Sequence, residues 1–262
     1  MITSSALLAG DRQARIRAQI ADRGSVRSAE LAAELGVSIV TIRRDLADLR
    51  KAGEVELVYG GARSAGGRVP PPDRRERTGV EVEAKAAIAR AAAGLLKAGD
   101  TVYLDSGTTC AAMVPYLAAV DGLTVVTNDL TTAVELTGAA PEVSVIMAPG
   151  VIDPATLSTV GELLPPVLAN FVFDVVFVSA SAWQPGVGAT TGDLSYAAVK
   201  RAVIERAKAS YLLVDASKFG VAEPHVVQRL QDFDAVVTDE SLSAEHRREL
   251  DQCGVELVAA SA

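Results

Sequence analysis

The 262-residue sequence predicts an α/β protein in two parts, a small helical head with a β-ribbon and a larger domain built on a doubly wound, mostly parallel sheet. Three observations predict it. Seven short runs rich in Val, Ile and Leu recur after residue 100, and near-continuous apolar strands of that kind are covered on both faces. Helical patterns fall between most of these runs, as the crossovers of a parallel sheet require. The stretch SAGGRVPPP interrupts all periodicity, and its three consecutive prolines enforce an extended path. The chain is therefore divided into a head at 1–63, a linker at 64–72 and a body at 73–262.

In the head, Ile16 and Ile20 mark one amphipathic helix, and Leu31 and Leu35 mark a second that begins near Ser28, a good N-cap residue. Gly36 fits its stop. Ser38 can cap a third helix running to about Arg50, with Gly53 just beyond it. At 100° per residue Ile39, Ile42, Leu46 and Leu49 form a stripe that must face the core. The opposite face carries Val40, Arg44, Ala47 and Lys51, flanked by Thr41 and Arg43. Asp45 turns back toward the stripe and is expected to orient an arginine or hold the first helices. Alternating Val55, Leu57 and Tyr59, ending in Gly60 and Gly61, read as a wing hairpin.

An arginine pair alone is ordinarily a solvated helix face. The order of parts changes that reading: helix, helix, Gly turn, capped helix and hairpin make a winged helix-turn-helix. Its third helix would enter a major groove of double-stranded DNA. Arginine can fork onto guanine, Thr41 can bond a base or phosphate, and Val40 can touch a thymine methyl. The expected DNA-binding residues are Ser38, Val40, Thr41, Arg43, Arg44 and Lys51.

In the body the strand candidates are 101–105, 123–127, 143–147, 174–179, 211–215, 234–239 and 255–259. Helices are expected over Glu81 to Leu96, Leu194 to Lys208 and Ala244 to Gln252. The net charge of −8 is unevenly spread. Residues 1–63 hold ten basic and eight acidic residues, and 64–262 hold fifteen and twenty-five, a head of +2 on a body of −10. Only the head is expected to meet DNA. Cys110 and Cys253 lie far apart, and with only His225 and His246 beside them no metal-ligand spacing arises, so neither metal nor cofactor is expected. No apolar run reaches the ~18 residues of a membrane span, and the first ten residues lack a signal-peptide pattern, which predicts a cytoplasmic protein.

Ligands of such sheets collect at the carboxyl ends of the strands. Asp105, Ser106, Gly107, Thr108 and Thr109 follow one strand, where free N–H groups, two threonine hydroxyls and a glycine suit an anion. Thr127 and Asn128 end the next strand, Gly150 follows the third, and Asp215, Ser217 and Lys218 end another. In an acidic body Lys218, with Lys200, would supply the countercharge for a dianion. The glycine-rich segment Ser179 to Tyr196 is the candidate lid. Its Gly186, Gly188 and Gly192 lack the spacing of a dinucleotide fingerprint. Trp183 is more simply core or hinge packing than a stacking platform for a sugar.

The segment LAAELGVSIVTIRRDLADLRKAG followed by GGA resembles the helix-turn-helix signature of DeoR-type bacterial repressors. It departs in the wing, where Leu57 and Tyr59 stand in place of the usual arginine and histidine. From about Asp73 to Gly220, the entering PDRRER, EAKAAIA, DSGTT, VVTNDL, DVVFVSAS and VDASKFG resemble the sensor domain of the same family, whose fold is like that of ribose 5-phosphate isomerase. The family commonly has a Gly pair where this chain has Pro149 and Gly150. The resemblance implies a phosphorylated sugar effector bound by Asp105, Ser106, Gly107, Thr108, Thr109, Thr127, Asn128, Gly150, Asp215 and Lys218, and release of DNA on binding it. It implies a repressor of a carbohydrate-metabolism operon.

Two other readings compete. A sugar-phosphate isomerase would need a carboxylate base, for which Asp105, Asp193 and Asp215 are available; an attached DNA reader argues against turnover. A constitutive DNA binder would leave the three loop ends without purpose. A symmetric dimer or tetramer is expected, because one small head covers few base pairs.

Overall fold

The computed structural model describes residues 9–23, 25–52, 54–58, 61–64 and 74–261. The chain forms two compact units, Met1–Pro72 and Asp73–Ala262. The proposed linker lies outside the described residues except for Ser64, which ends the last strand of the smaller unit.

The smaller unit contains α1 (Ala9–Arg23), β1 (Ser25–Arg27), α2 (Ser28–Leu35), α3 (Ile39–Lys51), β2 (Val55–Val58) and β3 (Gly61–Ser64). Ile16, Ile20, Leu31, Ile42, Leu46, Leu49 and Val55 make its core. Two expectations are corrected. Ser28 is the first helical residue rather than the cap, which falls at Arg27 without a side-chain bond. Ile39 is 43% exposed, because it sits in the first turn before α3 reaches the core, and Asp45 joins the buried stripe instead. Gly36 ends α2 in the left-handed region at φ 65°, where a side chain would be strained.

β2 and β3 pair antiparallel as the expected wing, with Val58 opposite Gly61. Tyr59 and Gly60 lie outside the described residues. β3 also pairs with β1, so the sheet has three strands in the order β1-β3-β2. A Cβ on Gly61 would lie 1.9 Å from the Val26 carbonyl oxygen. Glycine at this position lets β1 and β3 approach, a structural reason for the GGA sequence.

The larger unit opens with α4 (Arg74–Thr78) and α5 (Val82–Ala93) and continues through β4 (Thr101–Leu104), α6 (Thr108–Ala111), α7 (Val114–Leu117), β5 (Thr124–Thr127), α8 (Leu130–Ala139) and β6 (Ser144–Met147). Then come β7 (Val151–Asp153), β8 (Ser158–Val160), α9 (Leu164–Leu168), β9 (Phe173–Ser179), β10 (Ala182–Gln184), β11 (Gly188–Thr191) and α10 (Leu194–Ile204). β12 (Ala207–Leu213), β13 (His225–Gln228), β14 (Ala235–Asp239), α11 (Ala244–Gln252) and β15 (Leu257–Ala260) complete it.

The seven strands read from the sequence form one parallel sheet in the order β15-β14-β12-β9-β4-β5-β6. Alternate residues enter opposite cores, as the two-residue period of a strand requires. Tyr103, Val176 and Leu212 pack on one face with α9 and α10, while Val102, Val175 and Leu213 pack on the other with α5, α6 and α7. Two helices are shorter than expected: α5 ends at Ala93 and α10 at Ile204, because Ala207 already pairs with Phe173.

Among the described residues six strands were not legible, β1 in the smaller unit and five in the larger. β7 and β8 form a hairpin, and β10, β11 and β13 form a separate antiparallel sheet. The candidate lid is therefore mostly β-hairpin. Trp183 is fully buried, with Phe219 edge-on at 4.8 Å and its indole N–H donating to the Asp215 carbonyl at 3.2 Å, so it is core packing.

Candidate functional site

In the smaller unit Ser38 caps α3: its Oγ accepts from the Thr41 N–H at 3.1 Å and lies 2.9 Å from Thr41 Oγ1. Both hydroxyls thus set the N-terminal turn as well as facing outward. Val40 is 75% exposed and Arg43 and Arg44 are exposed with it. Lys51 stands one helix length away, 3.8 Å from Asp48, and is well solvated. Asp45 is buried and takes the Arg12 fork from α1, Nε to Oδ2 at 2.5 Å and Nη2 to Oδ1 at 3.0 Å. This holds α1 against α3 and turns the helix so that Val40, Arg43 and Arg44 point away from the core. Arg17 of α1 likewise pairs with Glu54, just before β2.

In the larger unit the parallel register brings the carboxyl ends of β4, β9 and β12 side by side, with Leu104 opposite Phe177 and Ser179 opposite Leu213. Asp105 is buried there. Its Oδ2 accepts from the Ser179 N–H and Oγ, both at 2.9 Å, and pairs with Lys200 of α10, itself buried. Lys200 therefore balances Asp105 rather than standing free for an anion.

The loop after β4 departs from expectation. The Ser106 N–H donates to Asn128 Oδ1 at 3.2 Å and the Gly107 N–H to Asp129 Oδ2 at 3.3 Å, so neither is free. Side chains at the end of β5 take them because adjacent parallel strands place both loops together. Asn128 also accepts from Tyr103 Oη at 2.9 Å and donates to the Thr159 carbonyl at 3.0 Å. Thr127 is buried, and its Oγ1 accepts from the Asp129 N–H at 3.1 Å. Thr127 and Asn128 are thus framework for the loop. Ser106 and Thr108 remain half-exposed, and Thr109 is buried beside them.

Gly107 needs its missing side chain: at φ 148° a Cβ would lie 2.6 Å from Ser179 Oγ. Gly150 has φ 155°, and a Cβ there would lie 2.6 Å from the Val160 carbonyl. Its close approach is thus to β8, which gives this glycine a packing reason independent of any ligand.

At the end of β12, Asp215 is 1% exposed. Its Oδ1 accepts from Ser217 Oγ, while Lys218 Nζ stands 3.2 Å from Oδ2 in an ion pair that makes no hydrogen bond. Buried Oδ2 is left without a hydrogen-bond partner. Sequence reasoning missed Lys85, which is buried on α5 and donates to the Arg77 and Val80 carbonyls at 2.6 and 2.5 Å. Burial, with the nearby charge of Lys218, lowers its pKa, and Asp215 opposes that shift. A lysine on the same stripe as buried Ile88, Ala89 and Ala92 was the available signal. Cys110 gathers the set: burial raises its pKa, and Asp105, Lys200, Asp129 and Lys218 all act on it.

Two of the three carboxylates considered as isomerase bases are engaged. Asp105 is bound by Lys200 and Ser179, and Asp193 caps α10 by accepting from Ser195 N–H and Oγ at 2.8 and 2.7 Å. Among the described residues no group of three or more His, Cys, Asp or Glu is placed to hold a metal. Among them too, no helix is long and apolar enough to cross a membrane.

Comparison with known proteins places both units. Residues 12–66 match the DeoR-like helix-turn-helix domain, and residues 80–240 match the DeoR C terminal sensor domain. The chain is 34% identical over 250 residues to the uncharacterized HTH-type transcriptional regulator YgbI of Escherichia coli (strain K12), covering 95% of this chain and 97% of that one. It is 30% identical to a putative aga operon transcriptional repressor of Escherichia coli O157:H7, over 95% of this chain and 93% of that one. It is 30% identical to a lactose phosphotransferase system repressor of Staphylococcus epidermidis (strain ATCC 12228 / FDA PCI 1200), over 87% and 91%. Among solved structures, ribose 5-phosphate isomerase A from Methanocaldococcus jannaschii aligns at TM-score 0.39 and 16% identity, over 53% of this chain and 54% of that one. The eIF2B beta structure from Chaetomium thermophilum aligns at TM-score 0.42 and 17% identity, over 87% and 77%. With a helix-turn-helix unit and a sensor unit that both match, the chain belongs to the DeoR family of transcriptional regulators.

Proposed function

We propose that the protein is a repressor of a carbohydrate-metabolism operon whose affinity for operator DNA changes when a phosphorylated sugar binds the larger unit. The observation that carries this reading is Asp215 Oδ2, buried and ion-paired with Lys218 yet accepting no hydrogen bond. A buried carboxylate oxygen that accepts no hydrogen bond gains most from a hydroxyl donor. A lysine 3.2 Å away gains most from an anion. Because the two atoms are 3.2 Å apart, a hydroxyl and an anionic oxygen close together on one ligand engage both. Thr108 and Thr109 supply hydroxyls toward it, Ser106 and Gly107 shape the loop, and Lys85 adds buried positive charge.

Ser38, Val40, Thr41, Arg43 and Arg44 are the proposed groove-facing residues, with Lys51 directed to a phosphate. Each head reads a short half-site, so the working form is a homo-oligomer. The aga operon and lactose phosphotransferase relatives, as their names describe them, agree with a sugar-operon setting. Thermal-shift measurement against a panel of sugar phosphates tests the sensor, since a ligand that binds only the folded state raises its apparent stability. At least one sugar phosphate should raise the melting temperature of the wild type and not that of Lys218→Ala. Equal shifts in both proteins, or none in either, would contradict the assignment.

A further inference from the structure

The larger unit receives the chain from residues 65–73 at Arg74, and that residue is anchored in an unusual way. It is 5% exposed, its N–H donates to the Ala155 carbonyl at 2.9 Å, and its guanidinium is paired in the interior with Asp129. The same Asp129 oxygen, Oδ2, accepts from the Gly107 N–H at 3.3 Å. The other oxygen accepts from the Thr132 N–H at 2.9 Å and caps α8. One buried carboxylate thus joins the start of the larger unit, the loop after β4 and the first turn of α8.

Stability alone does not call for this arrangement, because a buried ion pair is often no more stabilising than apolar residues of the same shape. Its placement is informative. Asp129 occupies an N–H of the loop whose threonines are proposed to meet the effector, and Arg74 is paired with the same carboxylate. An anion near Ser106 to Thr109 repels the carboxylate, weakens its bond to Gly107 and draws the guanidinium forward. Arg74 is also the first described residue of the larger unit, at its end nearer in sequence to the DNA-binding unit.

We infer that the Arg74–Asp129 pair is the coupling element of the regulator: a positioning pair through which anion occupancy beside the loop after β4 changes operator affinity. This rests on the effector reading given above. It requires that the pair change the response to effector without abolishing operator binding or effector binding.

The test uses the full-length protein, a DNA duplex recovered by that protein from a random-sequence pool, and ribose 5-phosphate, galactose 6-phosphate, fructose 1-phosphate and inorganic phosphate as probes. Operator affinity is measured with and without saturating probe for wild type, Arg74→Lys, and the double variant Arg74→Met/Asp129→Asn. The double variant removes both charges together, which avoids stranding a buried carboxylate. Melting and circular dichroism confirm its fold.

In the wild type the bound probe should change operator affinity by about fivefold or more, the lower end of typical allosteric coupling. Arg74→Lys, which keeps the charge, should stay within about twofold of that ratio. The double variant should show a ratio below about twofold, while its operator affinity without probe stays within about threefold of wild type and it still binds the probe. A purely structural pair would lower the two affinities and spare their ratio. A double variant with the wild-type ratio overturns the inference and leaves the effector reading standing. A wild type that binds none of the four probes overturns the effector reading and this inference with it.

Discussion

The two units place buried charge differently. In the smaller unit Asp45 and Arg12 are sunk between α1 and α3, on the side of the helix opposite Val40 and Arg44. In the larger unit Asp105 with Lys200 and Arg74 with Asp129 lie at the strand ends, among the residues proposed to meet the effector. The head thus keeps its scaffold and its proposed reading surface apart. The body combines them, so that a ligand arriving at its strand ends perturbs groups that also hold loops and helices together. A module that only reads DNA gains from a rigid scaffold, whereas a sensor needs its scaffold to respond.

This comparison is broken most severely through Asp45. Asp45→Ala leaves Arg12 facing the core and should cost the smaller unit about 3 to 5 kcal/mol. Operator affinity should fall more than about a hundredfold, with the melting of the larger unit unchanged, as read by anisotropy and calorimetry. Arg44→Ala comes next. It removes a surface contact worth about 1 to 3 kcal/mol at a base edge, and should weaken operator binding roughly five- to 150-fold without moving either melting transition.

Lys218→Ala should weaken sugar-phosphate binding about tenfold or more, the worth of one charge-assisted contact, while operator affinity without ligand stays within about twofold. Calorimetric titration and anisotropy separate the two effects. Were Arg44→Ala to abolish effector binding, or Lys218→Ala to abolish operator binding, the separation of scaffold and surface drawn here would be wrong.

Lys85 gives a smaller, pH-dependent effect. Its pKa is lowered from 10.5 in the folded protein by burial and by Lys218, so the folded state disfavours its charged form. That penalty is present in full below the lowered pKa and is relieved as pH rises from it toward 10.5. Lys85→Met should therefore stabilise the protein more at pH 7 than at pH 10, as read by denaturant midpoints. The opposite trend would mean that the ammonium is stabilised by the two carbonyls it touches. Smallest of all is the thiol contrast. Cys253 is exposed and Cys110 is buried with a raised pKa, so one thiol should react rapidly in the native protein and two after unfolding.

Much of this architecture was readable because the signals were local. The Ser38 cap, the Arg43 and Arg44 face and the seven apolar runs each follow from a few neighbouring residues and one period. Ile39 misled because helical phase says nothing of where along a helix the core begins. The β7–β8 hairpin and the β10–β11–β13 sheet were missed because strands as short as Ala182–Gln184 carry too few residues to show alternation. The larger unit's site was legible as a set of loop ends but not as a network. Asp129 pairs with Arg74 fifty-five positions away, and Lys200 with Asp105 ninety-five positions away, and neither separation leaves a pattern in one sequence. The free N–H groups expected at Ser106 and Gly107 were taken by Asn128 and Asp129 for the same reason.

The central claim is that a sugar phosphate in the larger unit changes what the smaller unit does to DNA. Its most direct test is an anisotropy titration of an operator duplex with full-length protein, with and without a saturating sugar phosphate that raises the melting temperature. The expected result is a change in operator affinity of about fivefold or more, with the reciprocal change in sugar-phosphate affinity when DNA is bound. Identical operator affinities at full effector occupancy would contradict it.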